Sequence, residues 1–377
     1  MTEQLKLKLN DSKATRWGAL VIVAFTMMAA YYVNDVVAPL KTMLETDLAW
    51  SSTDFGFFTG GYSFLNVFFL MLIWGGLILD RFGIRFTGKL ATILMVGGTA
   101  LEYYAMTGLA GADATLFGIN EIFGYKTGVF VAFAGYSIFG VGAEVAGITV
   151  SKIIAKWFKG KELATAMGVQ VALARIGSQA GYAVAIPLAR AFGISTPVLL
   201  GLVLLLGGMI AFFIFAVMDK KLDKQMEAAA IAAGTEDEEE KFSFKDVKNI
   251  LVNPGFWLIA LLCVLFYSCV FPFQKFASEL MIIKYGINEN VAGTFAGLPA
   301  LGALILTPVF GGFIDKRGKS ASIMLLGSAM LICVHFIYAI PDINYWLVAI
   351  VLMIILGIAF SLVPSAMWPA VAKIFPV

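Results

Sequence analysis

Long apolar stretches alternate with short polar ones along the whole sequence. A helix of about 20 apolar residues crosses the hydrocarbon of a bilayer, so each stretch predicts one membrane-spanning helix. Ten spans are predicted, near 17–40, 54–79, 87–109, 127–150, 162–190, 196–218, 255–285, 291–314, 320–340 and 345–372. The polar start runs directly into a full-length apolar span and shows no short apolar region with a cleavage site, so the first helix is expected to be retained. The longest connector holds Thr235-Glu236-Asp237-Glu238-Glu239-Glu240. Such an acidic run cannot bury apolar surface and predicts a solvated linker. The expected organisation is an N-terminal tail at 1–16, a six-helix bundle at 17–218, a linker at 219–254 and a four-helix bundle at 255–377.

Composition agrees with an all-α integral membrane protein. Hydrophobic residues make up 60% and charged residues 14%, against roughly 45–50% and about 25% in soluble domains. The net charge of +2 is uninformative, but its placement is not. With the amino terminus in the cytoplasm, the inside segments collect most of the lysines and arginines. The outside loops then hold little beyond Lys41, Lys126 and Lys284. That asymmetry sets the expected orientation. Cys263, Cys269 and Cys333 all fall in apolar stretches without metal-ligand spacing, and no disulfide is expected.

The chain repeats itself. Gly76-Leu77-Ile78-Leu79-Asp80-Arg81-Phe82-Gly83-Ile84-Arg85 follows span 2, and Gly311-Gly312-Phe313-Ile314-Asp315-Lys316-Arg317-Gly318-Lys319 follows span 8. Gly76, Asp80 and Gly83 match Gly311, Asp315 and Gly318 at one common offset. Glycine permits a tight turn and close helix approach. The aspartate can meet helix N-termini and the neighbouring Arg81, Arg85 or Lys316. Such a cluster suits a conformational latch; a generic turn with basic residues is the alternative. Two copies in register favour the latch and suggest two related bundles about a central site.

These repeats resemble the hallmark motif of the major facilitator superfamily. The resemblance covers the whole chain and implies the major facilitator fold: two pseudo-symmetric helix bundles, a central cavity and alternating access. That family has twelve helices. Ten are counted here, and the sequence reaches its last residue just past the tenth, so a chain lacking the final two is expected. Gly142-Ala143-Glu144, Trp157-Phe158-Lys159-Gly160-Lys161-Glu162-Leu163, Ala174-Arg175-Ile176-Gly177-Ser178 and Pro364-Ser365-Ala366-Met367-Trp368-Pro369 are similar to the branch containing the animal lysosomal dipeptide transporter and its bacterial relatives. That likeness implies peptide-like substrates and, with the short loops, a bacterial inner membrane.

An ionisable residue deep in a span costs about 2.5–3.5 kcal/mol on insertion scales and is a functional candidate by default. Asp35, Glu102, Glu144, Arg175, Lys275, Glu279 and His335 qualify. At about 1.5 Å per residue, Glu144 lies roughly 12 Å from the inner end of span 4 and Arg175 roughly 20 Å into span 5. Gly135, Gly140, Gly142 and Gly147 on span 4, with Gly177 and Gly181 on span 5, permit close packing between helices. Arg175 suits a carboxylate through its planar fork, and Glu144 suits an α-ammonium. The resemblance implies the same two roles; a purely structural ion pair is the alternative. Lys275 and Glu279 stand one turn apart, as a local pair or as cavity residues, near Pro272. Tyr32, Gln274 and Trp368 complete the candidate substrate-binding set. Asp35 in the outer third of span 1, and Glu102 towards the outer surface, are the proton-coupling or gate candidates. His335 is expected to be a packed residue.

Gly318-Lys319-Ser320 resembles the end of a phosphate-binding loop, but Phe313 stands where that loop needs glycine. No nucleophile elbow, metal cluster or dinucleotide turn is seen. No enzyme activity, cofactor or nucleic-acid partner is expected. The expected partners are a small-molecule substrate and the lipid bilayer, around a monomer; an accessory subunit is left open. A secondary active or facilitative transporter of small zwitterions is the leading reading. A transporter of organic or inorganic anions held by Arg175 is the nearest alternative. A non-transporting receptor or scaffold is the alternative of another class.

Overall fold

Ser12 accepts a hydrogen bond from the Thr15 amide and starts the first helix, α1 (Lys13–Val36). Ser51 and Asp54 form a capping box at the start of α3 (Ser52–Phe68), after the short α2 (Lys41–Asp47). The other helices of the amino-terminal unit are α4 (Met71–Thr107), α5 (Thr127–Trp157), α6 (Leu163–Phe192) and α7 (Thr196–Ala233). A second unit holds α8 (Pro254–Ile283), which Asn253 caps and Pro254 begins. It continues with α9 (Glu289–Ala296), α10 (Leu298–Arg317), α11 (Ser320–Ala339) and α12 (Trp346–Ile374). The computed structural model describes residues 8–111, 114–233 and 251–374. By its own contacts the chain divides into two units, Met1–Glu236 and Asp237–Val377.

In the first unit α1 lies between α6 and α7, and α5 lies between α3 and α4, while α4 also meets α7. The α1 core face is wide, from Leu20, Val23 and Met27 to Tyr32 and Val36, because two helices cover it. In the second unit α12 packs on α10 and α11, and α8 meets α9.

All ten stretches expected to span are helical once α4 is divided. Gly83 breaks α4 with φ +75° and ψ 172°, and α3 joins the first part of α4 across a 58° bend at Phe69-Leu70. Among the described residues, seven helical stretches pass as spans by length and apolarity, and the bent α3–α4 pair passes together. α6 falls outside that set, since Gln170, Arg175, Ser178 and Gln179 interrupt its apolar run. One boundary differs from expectation: α7 does not end near 218 but continues as helix to Ala233. The acidic run at 235–240 lies outside the described residues.

Candidate functional site

Two glycines set the geometry of the first unit. A Cβ at Gly140 on α5 would collide with the Tyr62 carbonyl of α3, and one at Gly177 on α6 with the Met28 carbonyl of α1. Without those side chains the backbones lie against each other. One turn beyond Gly140, Glu144 receives a hydrogen bond from the Tyr62 hydroxyl to its Oε1 at 2.8 Å. Two residues before Gly177, Arg175 places its guanidinium over the Tyr31 ring, 5.7 Å from the centroid, a cation–π contact. Arg175, Glu144 and Asp35 all lie within electrostatic reach of the Tyr31 hydroxyl. Tyr31, Tyr62, Glu144 and Arg175 are each partly exposed. A carboxylate from α5, a guanidinium from α6 and the Tyr62 ring from α3 thus gather near Tyr31 of α1. Such a set can hold an anion and a cation a short distance apart.

Asp35 belongs to an adjoining polar layer. Asn34 donates from Nδ2 to Asp35 Oδ1 at 2.9 Å, and the Tyr136 hydroxyl donates to Asn34 O at 2.7 Å. Tyr136 is also within electrostatic reach of Glu102 and Asp35. Glu102 is fully buried. A Cβ at Gly135 would meet the Glu102 amide at 2.9 Å, so α5 closes over this turn of α4, near its Thr107 end. Tyr32 stands on the side of α1 that meets α7. It is buried, and its hydroxyl donates to Pro197 O at 3.1 Å. Consecutive helical residues point about 100° apart, so when Tyr32 faces α7 it is Tyr31 that meets Arg175. Tyr31 and Tyr62 are the residues that sequence reasoning missed. Neither carries a charge to mark it in an apolar run; the nearby glycines were the available signal.

The remaining candidates lie in the second unit. Gln274 is buried on α8, two residues past Pro272, while Lys275 and Glu279 are partly exposed. Trp368 on α12 is 56% exposed. His335 stands 2.9 Å from Leu331 O and 3.0 Å from Cys269 O, with its ring against Phe273. It supplies a partner to a carbonyl in the turn before Pro272, where proline loosens the helical ladder, and so fastens α11 to α8.

The repeated motif forms a second polar site at the Arg81 end of the first unit. Gly83 and its counterpart Gly318 both adopt positive φ, +75° and +67°, so each copy breaks its helix at the same glycine. Among the described residues, a Cβ at Gly76 or Gly311 would meet nothing within 4 Å. Asp80 pairs with Lys152 at 3.0 Å, and Arg85 with Asp219 at 3.1 Å and with Asp223. Asp219 is fully buried and also receives Lys156 at 2.7 Å and Trp157 Nε1 at 3.0 Å. Arg81 stacks on Phe82. Beside the second copy, Arg317 lies over Phe313; the side chain of Asp315 is outside the described residues. Asp219 and Asp223 were assigned to the linker by sequence, although an acidic residue among the basic ones at the end of an apolar run was itself a signal. Among the described residues no group of three or more metal-ligating side chains occurs.

Comparison with known proteins agrees with this architecture. The chain is 28% identical to the lysosomal dipeptide transporter MFSD1 of Homo sapiens, over 96% of this chain and 74% of that protein. The same-named protein of Gallus gallus is 32% identical over 64% of this chain and 54% of its own length. Among solved structures, the xylose transporter XylE from E. coli superposes with a TM-score of 0.65 at 15% identity, covering 95% of this chain and 87% of that one. A structure on substrate recognition in proton dependent oligopeptide transporters also reaches 0.65, at 13% identity and 95% and 84% coverage. The model of the Major Facilitator Superfamily matches residues 19–377. With ten helical stretches among the described residues, in two units, and a repeated glycine-broken motif, this chain belongs to the major facilitator superfamily of multi-pass membrane transporters.

Proposed function

We propose that this transporter moves dipeptides or similar small zwitterions by alternating access, facilitatively or coupled to another solute. Arg175 takes the carboxylate and Glu144 the α-ammonium. One observation carries the assignment: opposite charges from α5 and α6 both lie within electrostatic reach of the partly exposed Tyr31, the guanidinium over its ring. A dipeptide presents the complementary pair of charges, and the names of the sequence relatives support the choice. Asp35 and Glu102, both within electrostatic reach of Tyr136, are the proposed proton-coupling or gating groups. The Asp80 and Arg85 clusters are the proposed latch, and Lys275, Glu279, Gln274 and Trp368 are proposed substrate contacts of the second unit. The positive-inside pattern supports a cytoplasmic amino terminus. The short loops support the bacterial inner membrane, although the sequence relatives are lysosomal by name.

Glu144→Gln and Arg175→Ala are each expected to abolish dipeptide uptake into proteoliposomes while folded yield stays at the wild-type level. Normal uptake by either variant overturns the assignment. Competition by simple carboxylates but not by peptides would assign the site to anions.

A further inference from the structure

Between α4 and α5 the chain folds into two successive tight hairpins. Leu116 and Ile119 exchange backbone hydrogen bonds of 3.0 Å around Phe117-Gly118. Ile122 pairs with Tyr125 around Phe123-Gly124. In both turns the two central residues have positive φ: 55° and 80° in the first, 52° and 80° in the second. That is the type I′ turn, whose first position favours asparagine, aspartate or glycine. Here phenylalanine occupies it twice, in a backbone region costly for a bulky side chain. Each ring stands at the tip of its hairpin, Phe117 95% and Phe123 88% exposed.

The hairpins are fixed to the end of a span. The first residue of α5, Thr127, donates its amide to Asn120 O at 2.9 Å and its hydroxyl to Ile119 O at 2.8 Å. Tyr125 stacks on Phe57 of α3 at 3.8 Å. Phe123 contacts Phe130 on the first turn of α5, and Phe130 leads through Phe133 and Phe64 to the exposed Phe68. The exposed tip is therefore continuous, ring by ring, with the apolar surface of a membrane span.

We propose that this double hairpin is an interfacial anchor, with Phe117 and Phe123 inserted among the phospholipid headgroups and upper acyl chains at the Thr127 end of α5. Strained, water-facing phenylalanines are unfavourable at a free loop tip. They are favourable where a span meets the membrane surface, because apolar phenylalanine rings are buried at the boundary of headgroups and acyl chains. Glu121 and Lys126, paired across the strands, keep the opposite edge polar. The anchor grips α5 and α3, the helices that carry Glu144 and Tyr62.

The test places nitroxide labels at Phe117→Cys and Phe123→Cys, with Cys263, Cys269 and Cys333 replaced by alanine, in phosphatidylcholine–phosphatidylglycerol vesicles. Both labels are expected to collide with oxygen more than with a water-soluble nickel chelate, and the opposite is expected for the control Asn120→Cys. A nickel preference like the control's at either phenylalanine position, or protection from both reagents, overturns the proposal. A second measurement keeps the native cysteines and puts a benzophenone amino acid at position 123. Photo-crosslinking to phospholipid is expected. Crosslinking to a protein, or none to lipid, overturns it.

Discussion

A guanidinium resting on an aromatic face and a carboxylate hydrogen-bonded at one oxygen are each restricted in orientation. Tyr31 and Tyr62 impose those constraints on Arg175 and Glu144. A hydrogen bond to a charged group contributes about 1.5–3 kcal/mol. Tyr62→Phe is therefore expected to raise KM for uptake roughly ten- to hundredfold. Tyr32→Phe, which removes a hydrogen bond to Pro197 O at the buried α1–α7 contact, should instead cost about 1 kcal/mol of stability and leave KM unchanged. Measuring both variants separates an orienting tyrosine from a packing one; equal KM values for the two would refute the role of Tyr62. Glu144 and Arg175 were legible in the sequence because a charge stands out in an apolar run. The choice between Tyr31 and Tyr32 was not, since it depends on how α1 is rotated against α6 and α7. That rotation is set by packing across helices distant in sequence, and hydropathy carries no record of it.

Helix existence was legible for the same physical reason: a bilayer imposes a minimum apolar length. Boundaries were less so. The continuation of α7 past the apolar run rests on Asp219 and Asp223 meeting Arg85 and Lys156, contacts between residues far apart in sequence. Helix contacts themselves depend on single small residues. Gly177→Val would drive a branched side chain into the Met28 carbonyl, at a cost of about 1–3 kcal/mol or more. It is expected to lower the thermal midpoint and the folded yield, while Gly168→Val, at an open position of the same helix, leaves both near wild type. The segment before α1 gives a further prediction. Lys161 Nζ holds Asn10 O at 2.6 Å and Asp11 Oδ1 at 2.7 Å, and the Leu9 amide donates to Gln225 at 2.8 Å. The hydrogen bond from Lys161, with that from the Lys8 amide, holds the Asp11 carboxyl below its ordinary range. A folded-state value lowered in this way stabilises the contact above the unfolded value and loses it as pH falls through the folded one. A spin label at Lys8 is expected to keep constant mobility from about pH 8 to pH 5 and to loosen only below about pH 4. Loosening near neutral pH would exclude Asp11 as the controlling group.

For the whole molecule, the fold was legible because the repeat is both chemical and conformational: Gly83 and Gly318 occupy equivalent sequence positions and both take positive φ. What the repeat did not disclose is how the first unit is tied at its Arg81 end, because Asp219 lies outside the motif. Removing that buried carboxylate leaves Arg85 and Lys156 with Asp223 alone. Asp219→Ala is expected to cost roughly 1–3 kcal/mol, read as a lower thermal midpoint in detergent, with Asp223→Ala costing less because that residue is half exposed. The reverse order would place the anchor point at Asp223. The length of α7 then has a mechanical corollary. From Asp219 to Ala233 the helix is unbroken, a rod of about 21 Å at 1.5 Å per residue. A tilt of about 10° about the Asp219 ion pairs would sweep its far tip sideways by roughly 4 Å over that length. A rearrangement of one or two ion pairs is thereby amplified into a displacement large enough to pull on whatever follows in the chain.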